Sequence, residues 1–197
     1  YNVTSSVEAV GRDGRIWALP SLHNARSNAR AFRIGDGVLV VGGQAARPHV
    51  DRDAAASALP MEWLASSALD GKASWVDVAG PGPSANGALA QLRDGSLLEV
   101  GSAGVVTQWK PVERPGTAVQ PATLALEPHA WPRLNRDRRS TESSPVSVRE
   151  LGDGRIIVAG GEVQSEKIAL LTPDSQDPNA VDEYVGIGPY LPSRRHE

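Results

Sequence analysis

Residues 31–43 read AFRIGDGVLVVGG, in which two apolar runs flank an Asp-Gly pair and the second run ends on two glycines. The same pattern returns at 89–102 as LAQLRDGSLLEVGS and at 148–161 as VRELGDGRIIVAGG. Asp-Gly between apolar runs predicts a β-hairpin, because the backbone twist of this turn matches that of its strands. The sequence therefore predicts three hairpins of one type.

The spacing of these hairpins indicates an internal repeat. Gly42, Gly101 and Gly160 are 59 residues apart in both steps, whereas the aspartates of the three Asp-Gly pairs are 58 and 59 apart. Aromatic residues follow nearly the same interval: Trp17, Trp75 and Trp131 are 58 and 56 apart, and Tyr184 lies 53 residues further on. A repeat of this length is typical of stacked units that cannot bury their apolar faces alone.

Each repeat has room for four strands. Two form the Asp-Gly hairpin, a third follows the glycines, and a fourth carries the aromatic residue, which we expect to fill the space between neighbouring units. The candidates for the third strand are 61–65, 105–109 and 167–171. Glycine at the end of the second strand suits a close approach of two backbones or a positive φ. Residues 1–19 fit the last two strands of a preceding unit.

These features resemble the kelch repeats, a β-propeller family that includes galactose-oxidase-like proteins. Residues 38–43 and 156–161 look like the apolar strand and Gly-Gly of a kelch unit, and 191–196 resemble the start of the next one. The resemblance implies an all-β, kelch-type β-propeller segment of four-stranded antiparallel blades. Such a segment would contain about three and a half blades of a larger closed ring, and missing sequence or a partner chain would complete the ring. The expected boundaries are 1–19 for half a blade, 20–78 and 79–134 for full blades, and 135–197 for a blade plus the start of the next.

The amino-acid composition argues against several classes of function. The net charge of −3 gives no basic face for nucleic acid. With no cysteine, the chain has no disulfide framework, no thiolate metal site and no cysteine nucleophile. His49 and His129 each lie beside a proline without a second ligand at metal-binding spacing, so the sequence predicts no metal site and no cofactor.

The candidate ligand-binding residues lie in segments expected to be loops. The longest such segments are 44–60, 111–121 and 128–145, and the third is rich in arginine. Guanidinium groups bind carboxylates in pairs of hydrogen bonds, so an anionic sugar or a carboxylate is the expected ligand chemistry. A solvated surface loop and turn-capping polar residues are the competing interpretations. The candidates are Arg26, Asn28, Arg136, Arg138, Arg139 and Glu142.

The resulting expectation is a non-enzymatic binding module that presents loops to a protein or glycan. The alternative is a carbohydrate-active enzyme, similar to sialic-acid mutarotases, glycosidases or galactose oxidase, with part of its site in other blades. The excess of arginine over lysine hints at a bacterial protein. Periplasmic, secreted or membrane-anchored placement is expected.

Overall fold

The structure, a computed structural model, describes residues 3–45, 59–65, 74–84, 87–101, 104–114, 116, 122–131, 146–160, 167–171 and 181–186. The elements of this part of the chain are all β-strands. They are β1 (Val7–Val10), β2 (Ile16–Leu19), β3 (Arg30–Ile34), β4 (Gly37–Val41), β5 (Glu62–Leu64), β6 (Val76–Asp77), β7 (Ala88–Gln91), β8 (Leu97–Val100), β9 (Val106–Arg114), β10 (Thr123–Ala130), β11 (Val146–Glu150), β12 (Ile156–Gly160), β13 (Lys167–Leu171) and β14 (Val181–Gly186).

The strands form three four-stranded sheets and one hairpin. Strands β3 to β6 form sheet 1, β7 to β10 form sheet 2, and β11 to β14 form sheet 3, each with its strands antiparallel and in chain order. Strands β1 and β2 form the N-terminal hairpin. The three Asp-Gly hairpins therefore lie in three different sheets, and the expected all-β fold of four-stranded antiparallel units is confirmed.

Turn length explains why the glycines and the aspartates have different spacings. In sheet 1, Ile34 pairs with Gly37 across a two-residue loop. In sheet 2, the backbone N–H of Leu92 donates to Ser96 across a three-residue loop at 2.8 Å. The turn of sheet 2 has its extra residue after Asp94. Asp36 and Asp94 are therefore 58 residues apart, whereas Gly42 and Gly101, which follow the turns, are 59 apart.

Because each sheet is a meander, it has two distinct ends. The turns between its first and second strands and between its third and fourth strands lie at one end, which we call the turn end. The connection between its second and third strands, and the linkers to the sheets before and after it, lie at the other, the linker end.

The turn end of sheet 1 contacts sheet 2 through a carboxylate. A Cβ on Gly35 would lie 1.4 Å from Oε1 of Glu113, so a larger residue would have to displace the flexible end of this side chain. The φ of 55° at Gly35 also favours glycine. Burial raises the pKa of Glu113, and the negative charge of Asp36 raises that pKa further. Both effects shift the protonation equilibrium of Glu113 toward the neutral carboxyl.

The sheets stack face to face through three separate apolar cores. One face of sheet 1 packs on the N-terminal hairpin through Val40, Leu64 and Trp75. Its other face packs on sheet 2, and the opposite face of sheet 2 packs on sheet 3 through Ile156 and Val158. Sheets 1 and 2 are thus apolar on both faces, which explains the unbroken apolar runs of β4 and β8.

The first strands of neighbouring sheets are joined by polar contacts. The Gln91 side-chain amide donates to the carbonyl of Arg33, which joins β7 to β3. The backbone N–H of Arg93 donates to Oε2 of Glu150 at 2.6 Å, and its guanidinium donates to the carbonyl of Gly152 at 2.8 Å. Sheet 2 therefore contacts sheet 1 on one side and sheet 3 on the other through its first strand and the turn that follows it.

The repeating aromatics fulfil their expected role in two of three described cases. Trp75 is buried between sheet 1 and the hairpin, and Trp131 packs against the core between sheets 2 and 3. The prediction is wrong for Trp17, which is 44% exposed. It lies near the turn of a sheet that has only two strands in the described structure, so further strands do not cover its ring.

The predicted loop at 111–121 is wrong in its first part, and the predicted loop at 128–145 begins too early. Residues 111–114 belong to β9, where Pro111 pairs with Leu126, and residues 128–130 belong to β10. Pro111 is tolerated because β8 does not extend to it: the first residue of β8 pairs with Trp109, two residues earlier. Pro128 is tolerated because β10 is an edge strand.

The core between sheets 1 and 2 contains two tryptophans that differ in the hydrogen bonding of their indole N–H groups. Nε1 of Trp109 donates to Oε2 of Glu99 at 2.9 Å. Nε1 of Trp63 is buried without a hydrogen-bond partner among the described residues. Because an unpaired buried donor costs free energy, the two rings contribute differently although both are buried.

We predict that Trp109→Phe lowers the free energy of unfolding by about 1–3 kcal/mol more than Trp63→Phe does, because only the first leaves a buried carboxylate oxygen without its donor. Urea denaturation of both variants measures the difference, with Trp63→Phe as the matched control for lost ring volume. Equal costs, or a larger cost at Trp63, would contradict the assigned hydrogen bond.

Candidate functional site: the anchored linker and its histidine–carboxylate cluster

The linker that joins β2 to β3 is held at the linker end of sheet 1 by a buried arginine. Arg26 is 4% exposed, and its guanidinium is paired with the carboxylate of Glu62, which is 0% exposed. Its Nε also donates to the carbonyl of Asn24 at 3.3 Å. A buried guanidinium is tolerated when its donors are satisfied in this way.

The same guanidinium holds both ends of the long connection between β4 and β5. It donates to the carbonyl of Gly42 at 2.9 Å through Nη1 and to that of Pro60 at 2.9 Å through Nη2. Ser27 and Gln44 exchange backbone hydrogen bonds of 3.0 and 2.9 Å beside these contacts. A Cβ on Gly43, whose φ is 90°, would lie 2.8 Å from the carbonyl oxygen of Ser27. The close approach expected for the Gly-Gly pair is confirmed here.

Glu62 anchors the linker by accepting backbone donors. Its Oε2 accepts the N–H of His23 at 2.6 Å, and its Oε1 accepts the N–H of Asn24 at 3.2 Å. Sheet 2 repeats this device with Glu99, whose Oε1 accepts the backbone N–H of Ser84 at 2.8 Å in the linker from β6. A buried carboxylate thus fixes the incoming linker in two successive sheets.

A histidine and two carboxylates converge beside this anchor. Nδ1 of His23 lies 3.1 Å from Oδ1 of Asp77 and 4.0 Å from Oε2 of Glu62. One ligand atom from each of the three residues lies within 4.8 Å of the other two. The histidine comes from the linker, and the carboxylates come from β5 and β6. We call these three residues the His23 cluster.

Burial divides the His23 cluster into a fixed part and an accessible part. The Glu62 side chain is inaccessible, whereas those of His23 and Asp77 are 45% and 60% exposed. Imidazole and carboxylate can transfer protons or ligate a cation.

The predicted ligand-binding residues fall into three groups. Arg26 is buried, with its donors engaged inside the protein, and Asn28 is exposed with a φ of 56°. Asparagine adopts this left-handed conformation more readily than most residues. Arg136, Arg138, Arg139 and Glu142 lie outside the described residues. A ligand-binding role for each of the six stays a prediction.

Sequence reasoning missed the His23 cluster because its members are far apart in the chain. His23 is 39 residues from Glu62 and 54 from Asp77. One signal was available: Glu62 interrupts the apolar run of 61–65, which marks a buried charge in need of a partner.

No protein-family profile matches the sequence, and comparison with curated proteins gives no significant match. In the described part of the chain, no helix has the length and hydropathy required to cross a bilayer. The kelch resemblance therefore rests on the sequence pattern itself.

We predict that Arg26→Met lowers the free energy of unfolding by about 3–5 kcal/mol, because it leaves the Glu62 carboxylate buried without its countercharge. Adding Glu62→Gln should recover part of this loss, since the amide is neutral and its oxygen still accepts backbone donors. Urea denaturation measures both effects. Arg15→Met is the control, because Arg15 forms its ion pair with Asp13 on the surface and should leave the urea midpoint unchanged. Equal midpoints for Arg26→Met and Arg15→Met would refute the anchor.

Proposed function

We propose that this chain is a segment of a kelch-type β-propeller that acts as a non-enzymatic binding module, with the loops of its linker end presented to a protein or glycan. The observation that carries the proposal is the Arg26 clamp. Binding residues are commonly placed on loops that a rigid scaffold positions. Arg26 makes such a scaffold, because one buried guanidinium fixes the linker and both bases of the connection between β4 and β5.

The stacking of the sheets supports the propeller assignment. Four-stranded meanders packed face to face, with successive first strands in contact, are the arrangement that blades adopt around a central axis. Two contacts support it: Gln91 of β7 donates to the carbonyl of Arg33 in β3, and Arg93, in the turn after β7, donates to Glu150 of β11. The N-terminal hairpin covers the other face of sheet 1, as a preceding blade would.

The sequence of the third linker supports an anionic ligand. Residues 131–145 join β10 to β11, so the chain leaves sheet 2 and enters sheet 3 at the linker end, as it does in the linker that contains Arg26. This stretch contains four arginines, at positions 133, 136, 138 and 139. Guanidinium groups on a loop favour carboxylate-bearing sugars or acidic peptides through paired hydrogen bonds.

Binding and turnover can be separated in one titration. Sialylated and neutral glycans are added to the protein, and the ligand is followed by NMR for saturable binding, anomer exchange and bond cleavage. The proposal predicts saturable binding of an anionic glycan with no chemical change in it. Accelerated anomer exchange or cleavage would replace the binding module with a carbohydrate-active enzyme.

We predict that changing Arg136, Arg138 and Arg139 together to alanine weakens binding of the anionic ligand by at least about 10-fold, since a charge-assisted hydrogen bond contributes about 1.5–3 kcal/mol. The matched control changes Arg12, Arg15 and Arg155 to alanine, which removes the same charge from the turn end. Equal losses in the two variants would indicate a net-charge effect. An unchanged affinity in the linker variant would exclude this loop as the site.

A further inference from the structure

We propose that the His23 cluster is a divalent transition-metal site, in which Nδ1 of His23, Oε2 of Glu62 and the carboxylate of Asp77 are the ligands. A mixed imidazole and carboxylate set suits Zn²⁺ better than Mg²⁺, which prefers oxygen ligands. Three protein ligands leave at least one coordination position for water or an added ligand, as in open zinc sites.

The spacing of the ligand atoms fits a shared ion. Metal–nitrogen and metal–oxygen bonds of about 2.0–2.2 Å place neighbouring ligand atoms roughly 3.0–3.5 Å apart. Nδ1 of His23 and Oδ1 of Asp77 already have this spacing, at 3.1 Å. The 4.0 Å between Nδ1 and Oε2 of Glu62 is too long for a hydrogen bond. A shared ion therefore requires the imidazole, which is 45% exposed, to lie closer to Glu62 than it does here.

The buried carboxylate is oriented toward the cluster by its other contacts. Oε1 of Glu62 faces Arg26 and Asn24, so Oε2 is left facing His23. Among the described residues, Oε2 accepts one hydrogen bond, from the backbone N–H of His23, and so retains a lone pair for a cation. Partners that orient a ligand in this way strengthen metal sites.

The charge balance also favours a cation. Glu62 and Asp77 contribute two negative charges, and Arg26 neutralises one of them. With a neutral imidazole, which ligation requires, the group carries one net negative charge. An ion here would join the linker, β5 and β6, beside the ends of the β4–β5 connection that Arg26 holds.

The test is an isothermal titration of the 197-residue chain, free of affinity tags, with Zn²⁺ and separately with Mg²⁺. One Zn²⁺ per chain is expected, with weaker binding of Mg²⁺. His23→Gln and Asp77→Asn should each lower the Zn²⁺ affinity by at least about 100-fold, since loss of an outer partner alone costs about 10–100-fold. Both variants keep the backbone hydrogen bonds of the linker, and circular dichroism verifies that they fold.

His129→Gln and Glu127→Gln are the matched controls, because both side chains are exposed on β10 and neither belongs to the His23 cluster. These variants should bind Zn²⁺ as the unmodified chain does. The proposal is overturned if the unmodified chain binds no Zn²⁺ at about 1 mM, or if its affinity survives both His23→Gln and Asp77→Asn.

Discussion

Two-sided burial of the four-stranded sheets is the constraint on which the rest of the structure depends. Sheet 1 is apolar on both faces, with Leu39 and Val41 on one and Val40 on the other, so neither face can be left in water. A neighbour on each side removes both faces from solvent, and burial of each large apolar side chain contributes about 1.5–3 kcal/mol. The same requirement passes to sheet 2 and from it to sheet 3, which makes the stack continue rather than close as a sandwich.

Polar groups determine how one sheet is connected to the next. The linkers cross from one sheet to the next at the linker end, where backbone N–H groups that lose contact with water need another acceptor. Glu62 and Glu99 supply that acceptor in successive sheets, and Arg26 balances the first of these charges. These hydrogen bonds and the ion pair offset the free-energy cost of burying the carboxylate, and they also fix the geometry of the linker. That geometry places His23 beside Asp77 and holds both ends of the connection between β4 and β5.

Local features of the sequence were sufficient to predict the strands. They were not sufficient to predict which residues pair over long distances in the chain. Asp94 and Gly95 specify a turn through contacts within a few residues, and the apolar runs beside them specify buried strands, so the repeat was visible. Arg26, by contrast, reads as a loop residue until its pairing with Glu62, 36 residues away, is known. The His23 cluster was hidden for the same reason. Pro111 misled because a proline normally ends a strand, whereas here β8 does not extend far enough to need its N–H.

The most direct test of the stacked arrangement is a methyl–methyl nuclear Overhauser experiment on the protein labelled at Leu, Val and Ile. The account predicts cross-peaks from Leu39 and Val41 to Leu124 and Leu126, and from Leu98 and Val100 to Ile156 and Val158. Cross-peaks from Leu39 or Val41 to Ile156 or Val158 would place sheet 3 directly on sheet 1. That result would contradict a stack in which each sheet is covered by the next one along the chain.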